Sequence, residues 1–528
     1  MPPSPTVLWP APCWPAVLEP GEHRLELLVA HDGVDREALA AWAAGLALTA
    51  AGTRPMPLSV ESVDALEAPA GDARIGQAVA GLGLRRVACL VADAAGAPPP
   101  VPPARARVFD LVRQGGLLRP RCIARHARAE PLRLGFASDL HHAGLWDEVH
   151  ADLRRFAPDL AEAALYPNLQ VRRLVADANA RAARGELDAL VLGGDLVDHV
   201  YRVSHEGRRG AAADTNLPGL LDALAALEVP CFAIPGNHDH RLHPWRPRAY
   251  GLAEIGVPWP RLRALLRAAG RWDPWPLRRR DLDALRTHEP GGRDGLAHHL
   301  ALLAPALDFT LCFGGLRLVF LSTGRDALCR WRGIERGRRR LLLRSLRSSW
   351  EHPDSEGLRE EQFGSLVQAL DAGRGGAAVF LHAPLLHPRG PVEQVLPRLD
   401  PGPPDGPAGR TRFERTLFAS GLRRGVFFRN AAPFLRALGA ARGPLAVFSG
   451  HVHRAHAWRW DPRRGDARSC RWPVVGEPGV LFANAPAVAL GPSGEGGEGD
   501  ERPGYLVATF ADGALHRLER APLTGAAD

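Results

Sequence analysis

The feature that most constrains the fold of this sequence is a series of short apolar segments, each followed at once by polar residues. Such a segment, bounded on both sides, is typical of a strand that is buried on both faces. Amphipathic segments that are predicted to be helices, such as LQVRRLVADANARAARGE and LREEQFGSLVQALDA, lie between several of them. The sequence therefore predicts an α/β fold whose strands are LRLGFAS, LDALVLGG, VPCFAIPG, GGAAVFL and PLAVFSG.

The polar residues that end these segments are the candidate functional residues. Open α/β sheets place their sites just beyond the carboxyl ends of the strands. Carboxylate oxygens, amide oxygens and imidazole nitrogens are ligands suited to hard or borderline divalent metals. One such residue follows each predicted strand, in the order Asp139, Asp195, Asn237, His382 and His451.

Two of these clusters contain a second candidate ligand one residue further on. His141 follows Asp139, and His453 follows His451, each with a single residue between. If these segments are extended, the outer side chains of each D-x-H or H-x-H point to the same side and can reach one site together. Taken singly, each cluster is equally compatible with a helix cap or a turn. Taken together, the clusters predict a metal site.

The order of the clusters resembles the signature of the calcineurin-like metallophosphoesterases, over about residues 131–520. This resemblance implies an α/β metallophosphoesterase-type β-sandwich of two mixed sheets flanked by helices, and a dinuclear metal-dependent phosphoester hydrolase. The five blocks that carry it read Asp139-x-His141, Gly194-Asp195-x-x-Asp198, Gly236-Asn237-His238-Asp239, a single His382, and Gly450-His451-x-His453.

The resemblance also implies a cofactor of two divalent metal ions, which the ligand types allow to be Mn, Fe or Zn. A metal-bound hydroxide would then attack the phosphoryl group. Asp195 would bridge the two ions, because a carboxylate has an oxygen for each of two cations about 3.5–4 Å apart. The remaining ligands would be Asp139, His141 and His453 for one metal, and Asn237, His382 and His451 for the other.

Two residues of the third block are predicted to be catalytic rather than ligands. By resemblance, His238 acts on the leaving group as a general acid or by stabilising charge, and Asp239 orients its ring. Asp198 is expected to hold a loop or a ligand histidine. The chain lacks the tyrosine that follows the second block in purple acid phosphatases, and His199-Val200 replaces the Arg-Gly of protein Ser/Thr phosphatases. Both branches are therefore disfavoured.

Outside the resemblance the sequence predicts further parts. Residues 1–130 contain strand-like segments such as LRRVACLVAD and PRCIARHARA, and we expect an accessory domain rich in β-structure. Two insertions interrupt the phosphoesterase domain of residues 131–520: a Trp-rich, Arg-rich one at 241–305 and an Arg-rich one at 325–350. An insertion directly after the third block emerges beside the site, so the first is predicted to select the substrate. Substrate-binding residues are not identified.

Composition bears on the partners and the cellular location of the protein. The net charge is +8, but all 66 basic residues are arginine, which suggests coding bias more than a nucleic-acid surface. The seven cysteines form no C-x-x-C pair, which favours a reducing compartment. Neither a signal peptide nor a membrane span is recognisable, so we expect a cytoplasmic protein without a membrane partner. The oligomeric state is not predicted.

Three functions fit the sequence. The first is hydrolysis of a phosphomonoester or phosphodiester in a small phosphorylated or nucleotide-like substrate. The second is a nuclease with the same chemistry, which the arginine content permits but no recognisable DNA-binding domain favours. The third is a non-catalytic scaffold with a phosphoesterase fold, which we would expect to have lost ligands, whereas every expected ligand is present.

Overall fold

The computed structural model of the chain provides the coordinates. The Trp-rich insertion lies outside the described residues up to residue 295, and the insertion at 325–350 lies outside them entirely. The structure describes residues 5–19, 21–31, 33–50, 54–66, 83–91, 106–127, 130–156, 158–163, 166–200, 215–240, 296–323, 358, 360–371, 375–385, 431–462, 466–489 and 502–523.

An eight-stranded sheet is formed by the first 126 residues. Its strands pair in the order β1-β3-β6-β5-β4-β7-β8-β2. Inward-facing residues of β3 alternate as Leu25, Leu27 and Val29, as expected for a strand with one buried face. The elements are β1 (Thr6–Trp9), β2 (Ala16–Leu18), β3 (Arg24–His31), α1 (Arg36–Ala43), β4 (Leu46–Thr49), β5 (Met56–Leu66), β6 (Gly83–Val91), β7 (Ala106–Arg113) and β8 (Gly116–His126).

The rest of the described chain forms two mixed sheets. The six-stranded sheet has the order β11-β10-β9-β20-β21-β18, and the seven-stranded sheet has the order β12-β13-β14-β15-β19-β16-β17. The strands are β9 (Leu132–Ala137), β10 (Ala189–Leu192), β11 (Cys231–Ala233), β12 (Phe309–Phe313), β13 (Leu316–Leu321), β14 (Ala377–Leu381), β15 (Leu445–Ser449), β16 (His456–Asp461), β17 (Asp466–Ser469), β18 (Val474–Val475), β19 (Val480–Asn484), β20 (Gly504–Ala511) and β21 (Ala514–Pro522).

Within each sheet, the strands that carry the motifs are parallel. β9, β10 and β11 pair in parallel, as do β13, β14, β15 and β19. The five apolar segments of the sequence coincide with β9, β10, β11, β14 and β15. The strands of a parallel group end at the same edge of their sheet, so each group delivers its polar residues to one edge.

The two mixed sheets pack face to face, and helices cover their outer faces. The residues of β14 show the division, because Ala378 and Phe380 pack between the sheets whereas Val379 and Leu381 pack under helices. Near-continuous apolar strands follow from burial on both faces. The helices are α2 (Gly144–Phe156), α3 (Pro158–Ala163), α4 (Pro167–Ala183), α5 (Leu217–Leu224), the 3₁₀ helix His238–His240, α6 (Leu296–Leu302), α7 (Glu360–Asp371) and α8 (Ala431–Ala440).

A segment of the N-terminal region contacts the six-stranded sheet directly. The backbone N–H of Ala233 in β11 donates to the carbonyl of Cys13, and the N–H of Cys13 donates to the carbonyl of Leu303. Cys13 also packs in the same apolar cluster as Cys231. The predicted division into domains at residues 130 and 131 stays a prediction. None of the described helices has the length and apolar content needed to span a bilayer.

Candidate metal centre

The loops that follow the motif strands are tied together by backbone hydrogen bonds across both sheets. The N–H of Asp139 donates to the carbonyl of Gly194, 3.0 Å away, and the N–H of Gly450 donates to that of His382, 2.9 Å away. The N–H of His451 donates to Oδ2 of Asp139 across 2.9 Å. This last bond links a loop of the seven-stranded sheet to a loop of the six-stranded sheet. The candidate ligands therefore meet at one shared edge of the sandwich.

The first predicted pocket is formed by Asp139, His141 and His453. Oδ1 of Asp139 lies 3.3 Å from Nε2 of His453 and 4.0 Å from Nε2 of His141. Their ligand-type atoms all lie within 4.8 Å of one another. Oδ1 of Asp139 and Nε2 of His141 are buried, and neither has a hydrogen-bond partner among the described residues. Buried polar atoms without such a partner fit a bound cation.

The second predicted pocket is centred on His382. Its Nε2 lies 2.9 Å from Oδ1 of Asn237, 3.2 Å from Nδ1 of His451 and 3.3 Å from Oδ1 of Asp195. The other ring nitrogen, Nδ1, lies 2.8 Å from the carbonyl oxygen of Gly193. Because a carbonyl only accepts hydrogen bonds, Nδ1 carries a proton, and Nε2 is the ring nitrogen that faces the pocket.

Asp195 lies between the two pockets. Its Oδ1 faces the second pocket, 3.3 Å from Nε2 of His382, and its Oδ2 lies 3.8 Å from Nε2 of His141 in the first. Oδ1 also accepts a hydrogen bond from the N–H of His238 across 2.7 Å. With 2% of its surface exposed, Asp195 is shielded from water. The carboxylate thus presents one oxygen to each group of ligands.

The buried carboxylates and imidazoles of the two pockets shift one another's pKa values. Burial favours the neutral form of Asp195, but the neighbouring histidines outweigh it and hold its pKa well below the usual range. Burial lowers the pKa of His382, but Asp195 and Asp139 outweigh it and raise that pKa to about 9. Burial and His382 together lower the pKa of His451 to about 3. Anionic carboxylates beside imidazoles form a donor set that binds Mn, Fe or Zn.

The backbone at these ligands differs from the extended geometry that the sequence predicted. Positive φ angles of 46–70° occur at five of the seven candidate ligands, and these five are among eight such non-glycine residues in the described chain. The side chains of D-x-H share the first pocket and those of H-x-H are divided between the two pockets, through left-handed turns rather than strand alternation. Such conformations are costly and cluster at functional sites. The five residues are Asp139, His141, Asp195, His451 and His453.

Asp239 contacts the backbone of the motif loops. Its carboxylate accepts hydrogen bonds from the N–H groups of Leu196, Val197 and Gly236, at 2.7–3.2 Å. Burial and the charge of Asp195 raise the pKa of Asp239 to about 7. These bonds tie the loop that carries Asp195 to the loop that follows β11. A role in shaping both loops follows from the contacts, in place of the ring-orienting role that we predicted.

The carboxylate of Asp198 lies beside Nδ1 of the His238 ring. Oδ1 of Asp198 lies 3.1 Å from Nδ1 of His238 and 3.4 Å from Nδ1 of His141. Burial favours the neutral form of Asp198, but three histidines outweigh it and hold its pKa well below the usual range. Asp198 therefore links a candidate ligand to the candidate catalytic histidine, as expected for a residue that holds other groups in place.

Comparison with known families decides the relationship. Residues 132–342 match the family model described as calcineurin-like phosphoesterase. This region belongs to the calcineurin-like phosphoesterases. The resemblance that the five ordered blocks indicate is therefore confirmed. No curated protein matches the sequence.

The solved structures that match this chain include three phosphatases or phosphoesterases. A purple acid phosphatase from yellow lupin (Lupinus luteus) is 11% identical, with a TM-score of 0.41, over 94% of this chain and 72% of that one. A dimetal phosphatase from Danio rerio is 15% identical, with a TM-score of 0.33, over 75% and 100%. A metallophosphoesterase from Sphaerobacter thermophilus is 13% identical, with a TM-score of 0.24, over 74% and 88%.

Two asparagines support the phosphoesterase loops and were not singled out for the site from the sequence. Asn216 donates from Nδ2 to the carbonyl of His199 and accepts at Oδ1 from the N–H of Gly144. Asn484 donates from Nδ2 to the carbonyl of Arg454, directly after the last block. An asparagine just before a predicted helix is ordinarily interpreted as a cap. No local pattern signals that its side chain bridges two distant loops.

Proposed function

We propose that this phosphoesterase is a dinuclear metal-dependent hydrolase that cleaves phosphoester bonds. The observation that carries the proposal is the position of Asp195 between two sets of ligand atoms. Its Oδ1 lies 3.3 Å from His382, and its Oδ2 lies 3.8 Å from His141. A carboxylate that offers one oxygen to each of two cations is what a two-metal phosphoryl-transfer site requires.

The ligand sets that we propose are Asp139, His141 and His453 for one ion, and Asn237, His382 and His451 for the other, with Asp195 shared. When bound, the metals would lower the pKa of a water molecule toward about 7 and hold the phosphoryl oxygens. The side chain of His238 is 18% exposed, which makes it accessible to a substrate. We assign it the delivery of a proton to the leaving oxygen as its bond to phosphorus breaks.

For the substrate we propose a small phosphorylated or nucleotide-like molecule. The insertion at 241–305, which we expect to select it, lies largely outside the described residues. The family chemistry serves phosphomonoesters and phosphodiesters alike, so the ester class is left to experiment. A reducing, cytoplasmic location is part of the same proposal, and the free thiols of the six described cysteines agree with it.

One comparison tests the proposal. Purified protein is loaded with Mn, Zn, Fe or Mg, and hydrolysis of mono-aryl and bis-aryl phosphates is measured beside the metal content. We expect about two metals per chain and turnover of at least one ester, which Asp195→Asn abolishes. Metal below one ion per chain, or turnover that survives Asp195→Asn, would refute the proposal. Efficient cleavage of single-stranded DNA in place of the aryl esters would favour the nuclease.

A further inference from the structure

We infer that His199 is a positioning residue that fixes the Asp198 carboxylate so that it faces both His238 and His141. The inference rests on the proposed function, because it concerns the proton donor of that reaction. It assigns a role to a residue that no motif of the sequence identifies. It depends on which of the two Asp198 carboxylate oxygens each of three imidazoles faces.

The three imidazoles approach Asp198 from different sides. Nδ1 of His199 lies 3.1 Å from Oδ2, while Nδ1 of His238 and Nδ1 of His141 lie 3.1 Å and 3.4 Å from Oδ1. An ionised carboxylate only accepts hydrogen bonds, so the Nδ1 of His199, 3.1 Å from Oδ2, is the donor of that contact. With His199 bound to Oδ2, rotation of the carboxylate is restrained and Oδ1 stays directed at the other two rings.

The burial of His199 supports a polar role. Its side chain is fully buried, with 0% exposed, whereas that of Asp198 is 17% exposed. In the described part of the chain, Nε2 of His199 has no hydrogen-bond partner. A buried polar group without a partner is costly, and an aliphatic side chain of similar size would avoid that cost. The contact with Asp198 is what an imidazole provides at this position and an aliphatic side chain cannot.

The backbone of His199 is held by a second fixed element. Nδ2 of Asn216 donates to the His199 carbonyl across 2.7 Å, and the N–H of Asn216 donates to the carbonyl of Val200, also across 2.7 Å. Oδ1 of Asn216 accepts from the N–H of Gly144 across 2.9 Å. Asn216 stands at the N-cap of α5, yet its side chain makes no capping bond there. Its side chain instead anchors the loop that presents His199.

Loss of the His199 contact would free the Asp198 carboxylate to rotate. His238 would then lose its oriented partner, which matters most when the leaving group is a poor one that needs protonation. The carboxylate that lies 3.4 Å from Nδ1 of His141 would no longer be held in place, and loss of such an outer contact typically weakens metal binding about 10–100-fold. A residue that only fills space would not produce this combination of effects.

The test uses two amide variants that differ in where the donor sits. His199→Asn places its amide nitrogen near the position of Nδ1, whereas His199→Gln places it near Nε2. Both are compared with the wild type on para-nitrophenyl and phenyl esters of the class that the wild type cleaves. Metal retained after dialysis and the melting temperature are measured in parallel. For His199→Gln we expect the loss of kcat to be about tenfold larger on the phenyl ester than on the para-nitrophenyl ester, with KM little changed.

His199→Gln should also lose metal on dialysis about tenfold more readily than the wild type. His199→Asn should retain most of the wild-type kcat and metal. Equal losses on the two esters, or equal effects of the two variants, would overturn the inference. If the His199 variants do not fold, Asn216→Asp provides the test, because it removes the donor to the His199 carbonyl. A loss of kcat confined to the phenyl ester supports the inference. An equal loss on both esters, or no loss, refutes it. A wild type that cleaves no ester refutes the proposed function instead.

Discussion

Nδ1 of His238 lies 2.9 Å from the backbone carbonyl oxygen of Asp198 and 3.1 Å from Oδ1 of its side chain. Both oxygens are acceptors, so Nδ1 carries a proton and the opposite nitrogen, Nε2, is the one available for substrate. Nε2 lies 3.8 Å from Oδ2 of Asp195, on the side of the candidate metal pockets. The ring is therefore oriented by one residue at two points.

From this geometry, Asp198→Asn is expected to lower kcat by about 10–100-fold. The amide keeps the size of the side chain but loses the charge that favours a protonated His238. Steady-state kinetics on an aryl phosphate would measure the effect. In a double-mutant cycle, Asp198→Asn should cost little in a His238→Ala background, because the two residues act through the same proton. Additive losses in the double variant would contradict this coupling.

A different outcome is expected for Asp239, because its partners are backbone N–H groups. Asp239→Ala leaves the N–H groups of Leu196, Val197 and Gly236 without their acceptor. Each unsatisfied buried donor costs about 1–3 kcal/mol, so we expect a loss of roughly 3 kcal/mol or more in the free energy of unfolding. Denaturant titration measures it. Asp198→Ala is the control, since its side chain contacts histidine rings, and it should destabilise less.

The contrast between these two aspartates shows where prediction from sequence ends. The apolar segments identify the buried strands, and the residues after them identify the candidate ligands, because both follow from local pattern. Local pattern does not predict which carboxylate faces Nδ1 of His238. Asp239 is adjacent in sequence, but the packing of two loops turns its carboxylate toward backbone N–H groups and brings Asp198 to the ring. The left-handed backbone at the ligands is likewise invisible, since L-residues rarely adopt it without tertiary support.

Removal of metal should destabilise the protein. Under the proposed function, the buried carboxylates and imidazoles of the two pockets would bind cations in the folded state, and a ligand at about 100 times its Kd stabilises by about 2.7 kcal/mol. Chelation is therefore expected to lower the melting temperature by several degrees, and addition of Mn or Zn to restore it. His382→Ala, which removes the centre of one pocket, should respond less to chelator. An equal response in both proteins would argue against binding at that pocket.

The close approach at Gly194 leads to a prediction about the loop itself. Its φ is 94°, and a Cβ at this position would lie 2.6 Å from Nδ1 of His382 and 2.7 Å from the backbone of Gly236. Gly194→Ala should therefore displace His382 and lower metal content as well as stability. Gly364→Ala is a matched control, because nothing lies within 4 Å of a Cβ there. Elemental analysis and thermal unfolding of both variants would check the expectation; equal metal content in the two would contradict it.

The stability of the fold should also depend on the buried imidazole of His299 in α6. Burial, followed by the proximity of His240, lowers the pKa of His299 to about 3. The unfolded chain has an ordinary histidine pKa of about 6.5, so it binds a proton that the folded chain excludes. Stability is therefore complete above about pH 6.5 and falls as the pH decreases toward about 3, by at most about 1.4 kcal/mol per pH unit.

The apolar neighbours Leu296 and Leu300 make His299→Leu a suitable test. Denaturant unfolding across this range should show a shallower decline for His299→Leu than for the wild type, since the histidines of the metal pockets titrate in both. A His299→Leu slope equal to that of the wild type would show that His299 does not contribute to the decline.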